Sequence, residues 1–89
     1  MLFRSDAEQA TRSAIRSKPN DSGLRNLLGD LLITIGKTDD AVQSYREAVD
    51  LAPRTPDYRM NLANALKRKG DIPAAESELA VYRDLTRPH

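Results

Sequence analysis

Shifted by 34 residues, this 89-residue chain lies on itself: Pro53 falls on Pro19 and Gly70 on Gly36. The same step places Leu62-Ala63 on Leu28-Gly29, Leu66 on Leu32, Ala75 on Ala41 and Leu79 on Tyr45. Taken further back, it sets Ala48 on Ala14 and Ala41 on Ala7. Large residues meet large ones and small meet small, the mark of one supersecondary unit repeated along an array. Such a unit cannot bury its apolar face alone and must stack on a neighbour, so residues 1–89 are expected to form one continuous domain.

The repeated unit reads as a pair of helices. Ser5 and Glu8 have the spacing of a capping box and open a helix to about Lys18. Pro19-Asn20-Asp21 interrupts it, and Asp21 or Ser22 can cap a second helix ending near Ile35, where Gly36 supplies the left-handed closing residue. Thr38 is expected to cap a third helix, with Asp39 and Asp40 in its first turn, that stops near Leu51 before Ala52-Pro53. Thr55-Pro56 starts a fourth, which runs to Lys69 and closes at Gly70; Asp71 caps a fifth that reaches about Thr86. Nothing alternates with a period of two, so no strand is expected. The class is all-α, with five helices arranged as a half repeat (5–18) and two full repeats (22–53 and 55–88).

In period and in residues the chain resembles the tetratricopeptide repeat family. The middle unit carries Leu28-Gly29, Leu32, Ala41, Tyr45, Ala48 and Pro53 in the family's order, and the next carries Leu62-Ala63, Leu66, Ala75 and Leu79. Arg25 and Arg59 depart from it by standing where the family often has tryptophan; Tyr82 replaces a small residue and the closing proline is displaced to Pro88. The resemblance implies antiparallel hairpins stacked as a short right-handed α-solenoid. It also gives Gly29 a cause: a glycine amid leucines costs a helix about 1 kcal/mol relative to alanine, offset where two helices cross closely. Gly29 is expected to face Ala41 and Ala48, and alanine is expected to be tolerated there because Ala63 occupies the equivalent place.

Composition excludes several classes of function. The chain is 39% hydrophobic and 30% charged with no cysteine, which suits a small helical domain and rules out a disulfide framework or thiol chemistry. No apolar run approaches the roughly 18 residues of a membrane span, and the charged start has no signal-peptide pattern, so a cytoplasmic protein without membrane contact is the default expectation. The one histidine, His89, is the last residue. No carboxylate pair, phosphate loop or metal-ligand spacing appears beyond what helix capping explains, so neither an enzyme, a metal site nor a cofactor is expected.

Binding is the expected function. In the family, the first helix of each unit lines a concave groove that takes extended peptides or partner helices. The resemblance assigns that surface to Asn26, Leu27, Asp30, Ile33 and Thr34 of one unit and to Met60, Asn61, Asn64, Lys67 and Arg68 of the next. Amides such as Asn61 and Asn64 can donate and accept together, as a peptide backbone requires; solvated helix positions are the plainer reading. Asp30 would repel a carboxylate, so the clamp with which some members hold a C-terminus is not expected. Residues 54–70 set Arg54, Arg59, Lys67, Arg68 and Lys69 against Asp57 alone, either a solvated face or a modest site for an acidic partner. No aromatic platform accompanies these cations, and a nucleic-acid partner is not expected. The alternative function is self-assembly as a homodimer through incompletely covered ends, using Leu2, Phe3 and Ile15 at one end and Leu79, Tyr82 and Leu85 at the other. Thr11, where the other units have Tyr45 and Leu79, reads as a polar choice suited to a terminal helix.

Overall fold

The computed structural model describes residues 3–88, with side chains from residue 6 onward. It contains five helices: α1 (Phe3–Ser17), α2 (Ser22–Thr34), α3 (Thr38–Leu51), α4 (Pro56–Lys69) and α5 (Ile72–Thr86). Each packs on the next in the chain across a short turn, so neighbours run antiparallel. The contacts within the hairpins α2–α3 and α4–α5 are the most extensive; α1 against α2 and α3 against α4 form the seams between units. Contact along one direction only yields an elongated slab of 46 × 28 × 16 Å.

Local chemistry sets the helix ends. The Asp21 carboxylate accepts from the Leu24 amide at 3.1 Å and Asp71 from the Ala74 amide at 3.3 Å, each satisfying an otherwise orphaned donor. Gly36 and Gly70 adopt φ of +84° and +94°. Beyond them the amides of Lys37 and Asp71 turn back to the carbonyls of Leu32 and Leu66, at 2.8 and 2.9 Å. Two expected caps are absent. Helix α1 begins at Phe3, so Ser5 lies inside it, and Glu8 instead pairs with Arg12 at 3.0 Å and Lys37 at 3.7 Å. Thr38 is the first residue of α3 rather than its cap, which is Lys37, while Asp39 and Asp40 do occupy the first turn. Thr55 holds the cap position of α4 without a side-chain bond, followed by Pro56 at the tolerant first turn.

Leu28, Leu32, Ala41, Tyr45, Leu62, Ala63, Leu66 and Ala75 form one continuous buried cluster across the two hairpins. Gly29 is buried within it, and the side chain nearest to it is Tyr45. A Cβ built on Gly29 would stand 2.5–2.8 Å from three carbons of the Tyr45 ring, so the glycine makes room for an aromatic face. That ring is buried and tethered, its hydroxyl donating to the Asp30 carboxylate. Alanine is therefore not a neutral replacement at this position.

The arginines in the tryptophan places serve as bridges. Arg25 donates to the Pro19 carbonyl at 3.0 Å and to Glu47 at 2.9 Å; Arg59 donates to the Pro53 carbonyl and to Glu78 at 2.9 Å. Each ties the preceding turn to the second helix of its hairpin, joining through polar contacts what an indole would join by packing. Thr11 is buried, not a solvent-facing choice; its hydroxyl is satisfied by the Ala7 carbonyl at 2.8 Å.

Candidate functional site

Helices α2 and α4 are the first helices of their units and lie side by side. Their facing residues meet in a polar contact, the Asn61 amide donating to the Asn26 side-chain oxygen at 3.0 Å. Farther along, the two helices part over a recess of about 270 Å3 lined by Ile33, Tyr45, Asn61, Asn64, Ala65 and Arg68. Four of these residues, Ile33, Asn61, Asn64 and Arg68, are ones the sequence assigned to the groove. Tyr45 and Ala65 are additions: both are buried and hold helical register positions that read as core, so their patterning gave no sign of a second role.

The other expected groove residues sit around this recess. Asp30 is exposed beside it with its carboxylate engaged by the Tyr45 hydroxyl, Asn26 holds Asn61, and Met60 is half-buried. Lys67 is exposed in the last turn of α4 and does not line the recess. Thr34 turns its hydroxyl back to the Asp30 carbonyl at 2.9 Å. Leu27 is exposed, but away from the recess.

Electrostatically the recess is graded. Burial, then the bond to Asp30 and the charge of that carboxylate, push the Tyr45 phenol well above its ordinary value of 10.0, so it stays a neutral donor. At the opposite side Arg68 is exposed and makes no ion pair among the described residues. Of the basic cluster read from the sequence, Arg59 is consumed by Glu78 and Lys69 stands 3.7 Å from Asp39; Arg54, Lys67 and Arg68 make no ion pair among the described residues, and of these three Lys67 and Arg68, in the last turn of α4, are the ones beside the recess. Asn64 is exposed and forms no side-chain hydrogen bond among the described residues. The site can thus offer an amide, a guanidinium and an apolar wall to a passing chain.

A larger recess of about 400 Å3 opens between α1, α2 and α3, over Ile15, Leu28 and Leu32. Two of its three rim arginines are paired, Arg12 with Glu8 and Arg25 with Glu47, while Arg16 bonds only to the Ser13 hydroxyl among the described residues. Among the described residues no group of three acidic, cysteine or histidine side chains could hold a metal ion. No described helix is long and apolar enough to cross a membrane.

The residues expected at the ends are placed as follows by the array. Leu2, the side chain of Phe3, and His89 lie outside the described residues. Ile15 and Leu79 are partly buried and packed against the core, and Tyr82 and Leu85 are half-buried. Where α3 buries Val42, Ala48 and Val49 between its neighbours, α5 carries Glu76, Tyr82 and Arg83 at the same register. Two charges and a bulky ring make α5 a poor seat for a further helix docked as α4 docks on α3.

Comparison with known proteins agrees with this architecture. The chain superposes on MamA from Desulfovibrio magneticus RS-1 with a TM-score of 0.92 at 22% identity, covering 97% of this chain and 49% of that one. It superposes on the Yersinia enterocolitica type III secretion chaperone SycD, solved with a peptide of the translocator YopD, with a TM-score of 0.89 at 25% identity, covering 96% and 65%. A second SycD structure, an alternative dimer, gives 0.87 at 26% identity over 97% and 67%. The chain therefore spans about half the length of the MamA chain and about two thirds of the SycD chains. A search of curated proteins finds no match. The tetratricopeptide repeat model matches residues 3–56 and again 26–87, and with the register, the crossing glycine and the stacked hairpins already in place, this chain belongs to the tetratricopeptide repeat family.

Proposed function

We propose that this chain is a protein-interaction module whose α2–α4 groove takes an extended peptide of a partner protein. The observation that carries the reading is the recess itself, in which Asn64 and Arg68 are free of internal partners beside the apolar wall of Ile33. Asn61 is held by Asn26, so part of the surface is set before a ligand arrives, which lowers the cost of ordering it. A peptide backbone would lie against the two amides, and an acidic side chain would meet Arg68 and Lys67. SycD, a structure similar to this chain, was solved with a peptide of the translocator YopD, in keeping with a peptide-binding role. Because the cations are exposed and the recess small, affinity in the micromolar range, about −8 kcal/mol, is expected.

The test is an array of immobilised ten-residue peptides with varied acidic and apolar positions, followed by solution titration of those retained. Asn64→Ala with Arg68→Ala should weaken binding about tenfold or more, and added salt should weaken it further. Glu76→Ala with Ser77→Ala, exposed on α5, should leave it unchanged. Equal losses in the two double variants, or no peptide retained at all, would count against the groove.

A further inference from the structure

The two bridging arginines stand in equivalent places, but only one of them faces a carboxylate from the equivalent position of the next helix. In the second hairpin Arg59 donates to Glu78 at 2.9 Å, and both side chains are 18% exposed. Stepping back 34 residues puts Arg25 in the place of Arg59 and Ser44 in the place of Glu78. A serine is too short to fill that place, and the recess of about 400 Å3 between α1, α2 and α3 opens there. Ser44 lines it and is only 5% exposed, yet its hydroxyl forms no hydrogen bond among the described residues. Thr11, Thr34 and Ser77 each bond to the carbonyl four residues back, the ordinary habit of a hydroxyl within a helix; Ser44 does not. Every fully enclosed side-chain oxygen and nitrogen among the described residues has a partner, so this hydroxyl opens onto the recess. Arg25 meanwhile reaches Glu47, one turn farther along α3, and leaves its Nε–H unengaged among the described residues, whereas Arg59 gives Nε to the Pro53 carbonyl.

We propose that this recess binds the carboxylate of a small organic acid, in the place that Glu78 fills from within the chain one unit later. The Ser44 hydroxyl, the guanidinium of Arg25 and that of Arg16 donate to it. A guanidinium has five N–H donors, of which Arg25 uses two, and charge-assisted bonds to a carboxylate are the strong ones. Arg16 lines the recess without an ion pair, its one side-chain bond among the described residues being to Ser13. The volume falls within the range of about 300–1,000 Å3 usual for small-molecule sites. The recess's own carboxylates limit the charge of the ligand. Glu47 is held by Arg25 and Gln43, while Asp40 is exposed and has no ion pair among the described residues. Helices α1 and α3 run parallel, so Arg16, in the last turn of α1, and Asp40, in the first turn of α3, lie at opposite ends. A second negative charge on the ligand would meet Asp40, so the acid is a monocarboxylate with a short apolar arm, laid along the half-buried Ile15. The recess shares no residue with the one between α2 and α4 and does not depend on the reading given to it.

The probe is sodium butyrate, a glutamate side chain detached at its Cα, titrated at constant ionic strength into the isotope-labelled protein and followed by NMR. Saturable shifts in the millimolar range are expected at Ser44, Arg25 and Arg16. Ser44→Ala keeps every charge and should weaken binding about fivefold. Ser44→Glu supplies the carboxylate from the chain, as the second hairpin does, and should abolish it. Glu78→Ser makes the converse exchange and should create a second site, with new shifts at Arg59 and position 78. Circular dichroism verifies that the three variants keep their helices. The groove variant Asn64→Ala with Arg68→Ala should bind butyrate normally. The proposal is overturned if the unaltered protein shows no saturable shift, if binding survives Ser44→Glu, or if Glu78→Ser gains no site. A Glu78→Ser protein that binds where the unaltered one does not would overturn it as well, since Glu47 would then already satisfy Arg25. Succinate or inorganic phosphate bound as tightly as butyrate at the same residues would overturn the assignment to a monocarboxylate.

Discussion

In the first complete hairpin a glycine lies under a tyrosine ring, and the ring's hydroxyl is held by the aspartate next to that glycine. At the same three places the second hairpin has Ala63, Leu79 and Asn64. The residues differ together: a flat ring needs the missing Cβ and gives its hydroxyl a partner, while a leucine leaves room for a methyl group and leaves the amide free. Volume and hydrogen bonding are thus balanced within each hairpin and not across the repeat. What recurs every 34 residues is the sum of the side chains at a crossing, so an exchange that is tolerated in one unit is not thereby tolerated in the other.

The sharpest way to break this comparison is to move one residue without its partner. Gly29→Ala should destabilise the domain by about 1–3 kcal/mol, because the Tyr45 ring must shift against a packed wall and loses its bond to Asp30. Adding Tyr45→Leu should recover most of that loss by converting the first crossing to the composition of the second. Ala63→Gly, by contrast, should cost only about 1 kcal/mol, the helix-propensity difference. Denaturant melts of the four proteins measure all of this, and a Gly29→Ala variant as stable as the parent would show that the ring is not confined.

The crossing also shows where sequence reasoning stops. The period, the glycine turns and the proline breaks specify five helices, because each acts on backbone geometry within a few residues. That Gly29 was structural was equally legible; that its neighbour was Tyr45 was not, since a register aligns positions without stating which side chain turns into the gap. The groove behaves similarly. Ile33, Asn61, Asn64 and Arg68 follow from the register, whereas Tyr45 reaches the same recess from the second helix of the hairpin and reads as core. Ser5 and Thr38 failed as caps for a further reason: capping spacing is satisfied by many short stretches, and the helix begins where backbone and packing allow.

A second contrast between the hairpins is chemical. Because the folded protein holds the Tyr45 proton more tightly than the unfolded chain, its contribution is complete below about pH 10 and is lost as pH rises above that value. The melting temperature should therefore fall more steeply above pH 10 in the parent than in Tyr45→Phe. At neutral pH the same substitution should cost about 0.5–1.5 kcal/mol for the lost hydrogen bond. Parallel alkaline profiles for the two proteins would assign the transition to other groups.

The bridging arginines sharpen the comparison from the other side, since here the hairpins use the same device. Both partners of the Arg59–Glu78 pair are 18% exposed, while Glu47, the partner of Arg25, is 36% exposed. Arg59→Ala should cost about 1–2 kcal/mol, leaving a largely covered carboxylate without its partner, and Arg25→Ala about half as much. Thermal melts with the order reversed would mean that the contact with the preceding proline carbonyl, common to both, outweighs the ion pair.

The smallest expected effects lie at the seams, where one lysine ties each unit to the helix before it. Lys37 stands 3.7 Å from Glu8 across the first seam, and Lys69 stands 3.7 Å from Asp39 across the second. The distances are equal, so the difference rests on solvent. Glu8 is 14% exposed and also holds Arg12, whereas Asp39 is 81% exposed and its charge is screened by water on most sides. Lys37→Ala should therefore cost about 0.5 kcal/mol and Lys69→Ala about 0.2 kcal/mol or less. Raising the salt to about 1 M shortens the screening length to about 3 Å and should remove what remains of the exposed second tie while only weakening the more covered first one. Chemical melts of both variants at low and high salt resolve the pair; a larger loss at Lys69 would place the electrostatic tie at the second seam, against the burial of the two carboxylates.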